Sequence, residues 1–240
     1  MSSAPESGAL YHRRVQGGSH SPDWAAIDTV LLDMDGTLLD LGYDKRFWEG
    51  HLPRRFAETR GISVEEAQRL MRPIFESTAG TLDWYCIDYW SRALDFDIVA
   101  LKRATRHEID WLPEARGFLA RLNAAGKRVA LVTNAHPEIL AIKDAHLGIR
   151  RRFDAVYSAH DFGDPKENAA FWPRLAAREP FDPVRTLFAD DNAAVLAAAR
   201  GHGIRWVYEV RCPVNRAPAR APNGFPGVES VLDLAQGLGG

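Results

Sequence analysis

The chain has 240 residues, 46% of them hydrophobic, and a formal net charge of -2. That length supports a sizeable core, either one large α/β domain or a core with a smaller companion. The near-neutral charge, with no long basic or acidic block, argues against a nucleic-acid polymer or an anionic membrane surface as partner and favours a small molecule.

Residues 1–28 contain Arg13, Arg14 and several Ser and Gly but no apolar run long enough for a signal or a membrane span, so a flexible tail is expected there. The only cysteines, Cys86 and Cys212, show neither a paired nor a metal-ligand spacing. A reducing, cytoplasmic setting is the expectation that follows.

Residues 29–32 form a short apolar run that stops at Asp33-Met34-Asp35-Gly36-Thr37, which reads as a buried strand entering a turn. Strand-like runs then vanish across residues 42–113 and helical spacing takes over. Ser63 and Glu66 make a capping-box pattern, followed by Val64, Ala67, Met71, Ile74 and Phe75 at helical intervals. Further helices are expected over 82–94 and 97–109. Trp84, Tyr85, Tyr89 and Trp90 fall on the first of these; most should pack its own small core, and some could stack on a substrate.

Beyond residue 113, helices at 114–125, 137–147 and 193–200 are closed by Gly126, Gly148 and Gly201. Strand-like runs recur at 128–132, 153–157, 185–189 and 204–208. Pro173 interrupts the helical stretch 167–178 and should kink or split it. Residues 211–227 read as loop, and 211–240 as a C-terminal tail packing on or trailing the core. The alternation implies an α/β fold: a Rossmann-like, doubly wound parallel sheet built from 29–41 and 114–210, with 42–113 as an inserted helical domain.

Candidate polar residues follow four of the strands, and in such a sheet the carboxyl ends of strands share one ligand-binding edge. Asp33 and Asp35 can reach one ligand together, the first as a nucleophile toward phosphorus, the second as acid and then base. Asp190 and Asp191 would repel one another unless a cation compensates them, and Mg²⁺ suits such oxygen ligands. Asp33, the backbone carbonyl of Asp35 and one of the 190/191 pair could supply those ligands. Thr133 and Asn134 precede a helix starting at Pro137 and could hold a phosphate or cap that helix. His136 either faces substrate or caps. Lys166 precedes a predicted helix, where the macrodipole disfavours a cation, and could neutralise phosphoryl charge.

These residues, in this order and strand context, resemble the four motifs of the haloacid dehalogenase (HAD) superfamily. The resemblance implies that Asp33 is the nucleophile, Asp35 the acid/base, Lys166 the bridging cation, Asp191 the metal ligand with Asp190 beside it, and the insertion a helical cap. Superfamily dehalogenases usually lack the second Asp, whereas phosphomutases keep it. Within the superfamily, residues 28–41, Trp84-Tyr85-Cys86, Asp88-Tyr89-Trp90-Ser91 and 133–137 resemble purine-mononucleotide 5'-nucleotidases. That implies a Mg²⁺-dependent phosphomonoesterase whose small-molecule partner is a purine mononucleotide. Another phosphate ester or a non-catalytic phospholigand-binding role is the alternative.

Overall fold

The computed structural model describes residues 21–239. Six strands, β1 (Thr29–Leu32), β2 (Arg128–Thr133), β3 (Ala155–Ser158), β4 (Thr186–Asp190), β5 (Trp206–Val210) and β6 (Gly227–Val228), form one sheet in the order β3-β2-β1-β4-β5-β6, and every neighbouring pair is parallel. β1 and β4 are buried along their whole length. A parallel sheet covered on both faces needs such continuous apolar runs. Alternation then sorts them: Val30 and Leu32 join one core cluster with Trp24 and Phe118, while Leu31 joins the other with Trp172 and Phe188.

Between β1 and β2 the chain is helical: α1 (Gly42–Arg46), α2 (Leu52–Arg60), α3 (Val64–Thr78), α4 (Ile87–Leu94) and α5 (Ile98–Ala104), with a single π turn, Phe47–His51, joining the first two. After it come α6 (Ala115–Ala124), α7 (Pro137–Leu147), α8 (Phe171–Arg178) and α9 (Ala193–Gly201). The two linkers of the insertion run side by side. Asp40 N–H donates to the Asp110 carbonyl at 3.0 Å and Leu112 N–H to the Leu38 carbonyl at 2.8 Å, so the insertion leaves and rejoins the sheet at one point, above the end of β1.

Several local expectations are corrected. The helix expected over 82–94 breaks at Cys86, whose ψ of 106° is extended; a 3-10 turn, Leu82–Tyr85, precedes it and α4 follows. The four aromatics therefore occupy two elements. The helix expected over 97–109 stops at Ala104, where the Thr105 hydroxyl bonds the Leu101 carbonyl at 3.0 Å, and a short 3-10 turn finishes the stretch. Only half of the capping box forms, because Ser63 accepts from Glu66 N–H at 3.1 Å while the Glu66 carboxylate turns to Arg69. Pro173 neither kinks nor splits a helix: α8 begins at Phe171, which puts Pro173 in the first turn, where its missing N–H has no intrahelical partner to lose. α9 runs through Gly201, and Gly203, at φ +102°, makes the reversal.

Of the expected N-terminal tail, residues 1–20 lie outside the described residues. The remainder is packed rather than loose: Trp24 is buried, its indole N–H donates to the Leu234 carbonyl at 2.9 Å, and Lys127 Nζ bonds the carbonyls of Trp24 and Ile27. The C-terminal stretch adds β6 and a 3-10 turn, Val231–Ala235, whose Val231, Leu234 and Ala235 are buried.

Candidate active site

The eight strand-end and loop residues proposed for catalysis, phosphate and metal, Asp33, Asp35, Thr133, Asn134, His136, Lys166, Asp190 and Asp191, line one cavity of about 990 Å³ at the carboxyl edge of the sheet, as do Trp84, Tyr85 and Trp90 but not Tyr89, within the range of ligand-binding clefts. β1 delivers Asp33 directly, its N–H bonded to the Ala189 carbonyl of β4 at 3.0 Å. The chain then turns tightly, with Gly36 N–H donating to the Leu39 carbonyl and Leu38 and Leu39 N–H to the Met34 carbonyl. Asp190 is the last residue of β4 and Thr133 the last of β2.

Lys166 is the buried centre of the cluster. Its Nζ donates to Asp33 Oδ1 at 2.5 Å, Asp190 Oδ2 at 2.7 Å and the Val132 carbonyl at 3.0 Å. The macrodipole reasoning that drew attention to it does not hold, since α8 starts five residues later. What places it is Asn134, whose Oδ1 accepts from Lys166 N–H at 2.9 Å and whose Nδ2 donates to Glu167 Oε2 at 2.8 Å. Both ends of the Asn134 amide are thereby occupied, so its side chain positions Lys166 and Glu167. The Thr133 hydroxyl accepts from Ala135 N–H at 3.1 Å and keeps its own proton to donate. His136 caps α7, its Nδ1 accepting from Glu138 N–H at 3.3 Å, while the ring also borders the cavity.

Carboxylate oxygens of Asp33, Asp190 and Asp191 come within 4.8 Å of one another. Burial, the neighbouring Asp190 and Asp35 acting with it and Lys166 against it, pushes Asp33 up to about 7. Burial raises Asp190 to about 6 against the pull of Lys166. Burial and the Asp33 charge raise Asp191 to about 7, opposed by Arg220. Three crowded, desolvated carboxylates with raised pKa values are a site that gains from an added cation. Asp190 has both oxygens engaged, one by Lys166 and one by Asn192 N–H at 2.8 Å, whereas the Asp191 carboxylate accepts, among the described residues, from the half-exposed Arg220 at 3.0 Å.

Sequence reasoning missed a second charged relay. Lys143 Nζ, buried, donates to Asp35 Oδ1 at 2.6 Å and Asp44 Oδ2 at 3.0 Å, and Asp44 Oδ1 accepts from Lys102 Nζ at 2.5 Å. Burial raises the Asp35 carboxyl and outweighs the Lys143 ammonium. Burial would raise Asp44 too, but its two lysines prevail and hold it well below the usual range. Lys102 lies over the rings of Phe47 and Tyr43, 3.9 and 4.6 Å from their centroids. The signal was present in α7, where Lys143 shares the buried face of Ile139, Leu140 and Ile142. Arg220, on a loop, and Glu209, paired in register with Asp190 on β5, also border the cavity. Tyr85 reaches across from the insertion, its hydroxyl donating to Glu167 Oε1 at 2.5 Å.

Comparison with known proteins agrees with this layout. The haloacid dehalogenase-like hydrolase family matches residues 27–203. The chain is 43% identical over 195 residues to the GMP/IMP nucleotidase YrfG of Escherichia coli (strain K12), covering 79% of this chain and 86% of that protein. A HAD phosphatase from Thermococcus onnurineus superposes with a TM-score of 0.75 at 20% identity, over 89% of this chain and 99% of the other. The magnesium-bound putative HAD-hydrolase YfnB of Bacillus subtilis gives 0.61 at 19% identity, over 89% and 99%. Fold, strand-edge aspartates and family match converge on one statement: this chain belongs to the haloacid dehalogenase-like hydrolases.

Proposed function

We propose that the protein is a Mg²⁺-dependent phosphomonoesterase that works through a phosphorylated Asp33 and prefers purine 5'-mononucleotides, IMP and GMP first. The observation that carries the phosphatase reading is the convergence of Asp33, Asp35, Thr133 and Lys166 with the Asp190–Asp191 pair on one cavity. Asp33 attacks phosphorus while Lys166 fixes its carboxylate and draws charge from the transferring group. Asp35, its pKa raised by burial, protonates the leaving oxygen and then takes a proton from the water that cleaves the aspartyl-phosphate. The Thr133 hydroxyl donates to a phosphoryl oxygen.

The three clustered carboxylates fit a hard divalent ion. Asp33, the Asp35 carbonyl and Asp191 would hold Mg²⁺, with Asp190 orienting Lys166, and the ion would neutralise phosphoryl charge. The magnesium bound to the B. subtilis relative supports this choice.

Substrate preference rests on the relationship to the E. coli nucleotidase and on the helical insertion acting as a cap. Trp90 is buried beneath Phe75 and donates to the Trp84 carbonyl, so it belongs to the insertion's own packing; Trp84, 38% exposed, borders the cavity and can stack on a base. Tyr43 and Asp44 are committed to Thr105 and to two lysines. Exposed Lys45 and Glu49, one helical turn apart at the cavity, offer a donor for a purine 6-oxo group and an acceptor for the adjacent ring N–H. AMP presents the reverse pattern and would leave both groups unpaired.

The test is kcat/KM for IMP, GMP, AMP, UMP, phosphoglycolate and a sugar phosphate under saturating Mg²⁺, beside an Asp33→Asn control. IMP and GMP should lead and the control should be inactive. A lead of tenfold, about 1.4 kcal/mol, by phosphoglycolate or the sugar phosphate would overturn the nucleotide reading. Substantial turnover by Asp33→Asn would overturn the nucleophile.

A further inference from the structure

Beside the cavity, three side chains from separate parts of the chain meet. Cys86, His136 and His160 each offer one ligand atom, these atoms lie within 4.8 Å of one another, and all three residues are partly buried. The two imidazoles stand edge to face, with centroids 4.9 Å apart. His160 Nε2 is buried without a hydrogen bond of good geometry, and the polar neighbours of the ring are the backbone of Tyr85 and of Asn134 and the His136 imidazole, a setting in which a cation adds a stronger partner. Sulfur and imidazole nitrogen are the donors of borderline-soft cations such as zinc, and they are poor partners for Mg²⁺.

We propose that Cys86, His136 and His160 form a second cation site, for a zinc-class ion, that ties the helical insertion to the sheet. Cys86 separates the Leu82–Tyr85 turn from α4, whereas His136 caps α7 after β2 and His160 lies in the 3-10 turn Ala159–Asp161 after β3. An ion held by all three therefore spans the insertion and the sheet, next to the Tyr85–Glu167 hydrogen bond. His160 exchanges one of its loose contacts with the backbone of Tyr85 or Asn134 for the ion, and the present interactions of the other two leave them available. Cys86 Sγ accepts from Tyr89 N–H at 3.4 Å, a role that a thiolate keeps. The 3.3 Å bond into His136 Nδ1 is long and is given up on coordination through either ring nitrogen. Coordination through Nδ1 leaves the Nε2 proton facing Asp88 Oδ2 at 3.6 Å, the arrangement by which outer carboxylates orient metal-bound histidines. Three protein ligands leave the fourth position of a tetrahedral ion to water.

The probe is Co²⁺ titrated into the full-length chain in excess Mg²⁺, which keeps the aspartate cluster filled. The expected result is a thiolate-to-cobalt charge-transfer band together with the intense visible bands of a four-coordinate ion. Cys86→Ser retains a cap for α4 and should abolish the charge-transfer band; Cys86→Ser and His160→Gln should each weaken binding by about 100-fold or more, beyond the effect of losing an outer-shell partner. In the unmodified protein, Zn²⁺ should slow alkylation of Cys86 while leaving that of Cys212, a partly buried internal reference, unchanged. Absence of the charge-transfer band, an identical spectrum in Cys86→Ser, unchanged affinity in His160→Gln or equal protection of both cysteines would each overturn the site.

Discussion

Gly36 and Asp191 occupy one space: a Cβ built on Gly36 would stand 2.7 Å from Asp191 Cγ and within 2.9 Å of both carboxylate oxygens. The backbone at Gly36 is also left-handed, with φ +88°. A side chain there meets two penalties, conformational strain and collision with a carboxylate of the candidate metal cluster. Gly36→Ala should lose about 1–3 kcal/mol of stability and raise the Mg²⁺ concentration for half-maximal activity. Wild-type Mg²⁺ dependence in this variant would show that Asp191 is not a ligand.

Lys143 holds Asp35 and Asp44 together across the junction of sheet and insertion. Removing one member of a buried ionic set leaves uncompensated charge, so Lys143→Met should cost about 3–5 kcal/mol in urea unfolding. Adding Asp44→Asn should restore part of the loss. A change below about 1 kcal/mol would mean that water reaches these carboxylates and replaces the lysine.

Lys166→Ala should lower kcat/KM by about 2–4 kcal/mol, the scale of removing one preorganised donor. Because the ammonium lowers Asp33 and Asp190 against their burial, its loss raises both. The acid limb of the pH–rate profile should move to higher pH. An unmoved limb in a folded variant would separate Lys166 from the ionisation of Asp33.

The same carboxylates set a pH dependence for Mg²⁺. Burial pushes Asp33 and Asp191 up to about 7 and Asp190 up to about 6, above the ordinary aspartate value of about 3.9. The folded state thus binds more protons than the unfolded chain, and this contribution to stability, full below about pH 4, is lost as pH rises through about 7. The cation needs the ionised forms, so its effect runs the other way. The Mg²⁺-induced rise in Tm should be larger at about pH 8 than at about pH 5.5; equal shifts would place the ion elsewhere.

Strand order along the chain and the residues at strand ends were legible because both follow from local pattern. Apolar runs of four to six residues become buried parallel strands, and whatever follows them arrives at one edge. Asp33, Thr133 and Asp190 needed nothing more. Helix ends were less legible where side chains compete with the helix: Cys86 and Thr105 redirect hydrogen bonds that periodicity alone assigns to a continuous helix.

By itself, then, the sequence determined the α/β architecture and the identity of the strand-end residues, since alternation and spacing are properties of neighbours. The tertiary structure alone decided the partners of charges far apart in the chain. Lys166 meets Asp33 across 133 positions and Lys143 meets Asp35 across 108, and Arg220 reaches Asp191 from a loop without regular secondary structure. Electrostatic pairing depends on distance and desolvation in space, and neither is encoded in spacing along the chain.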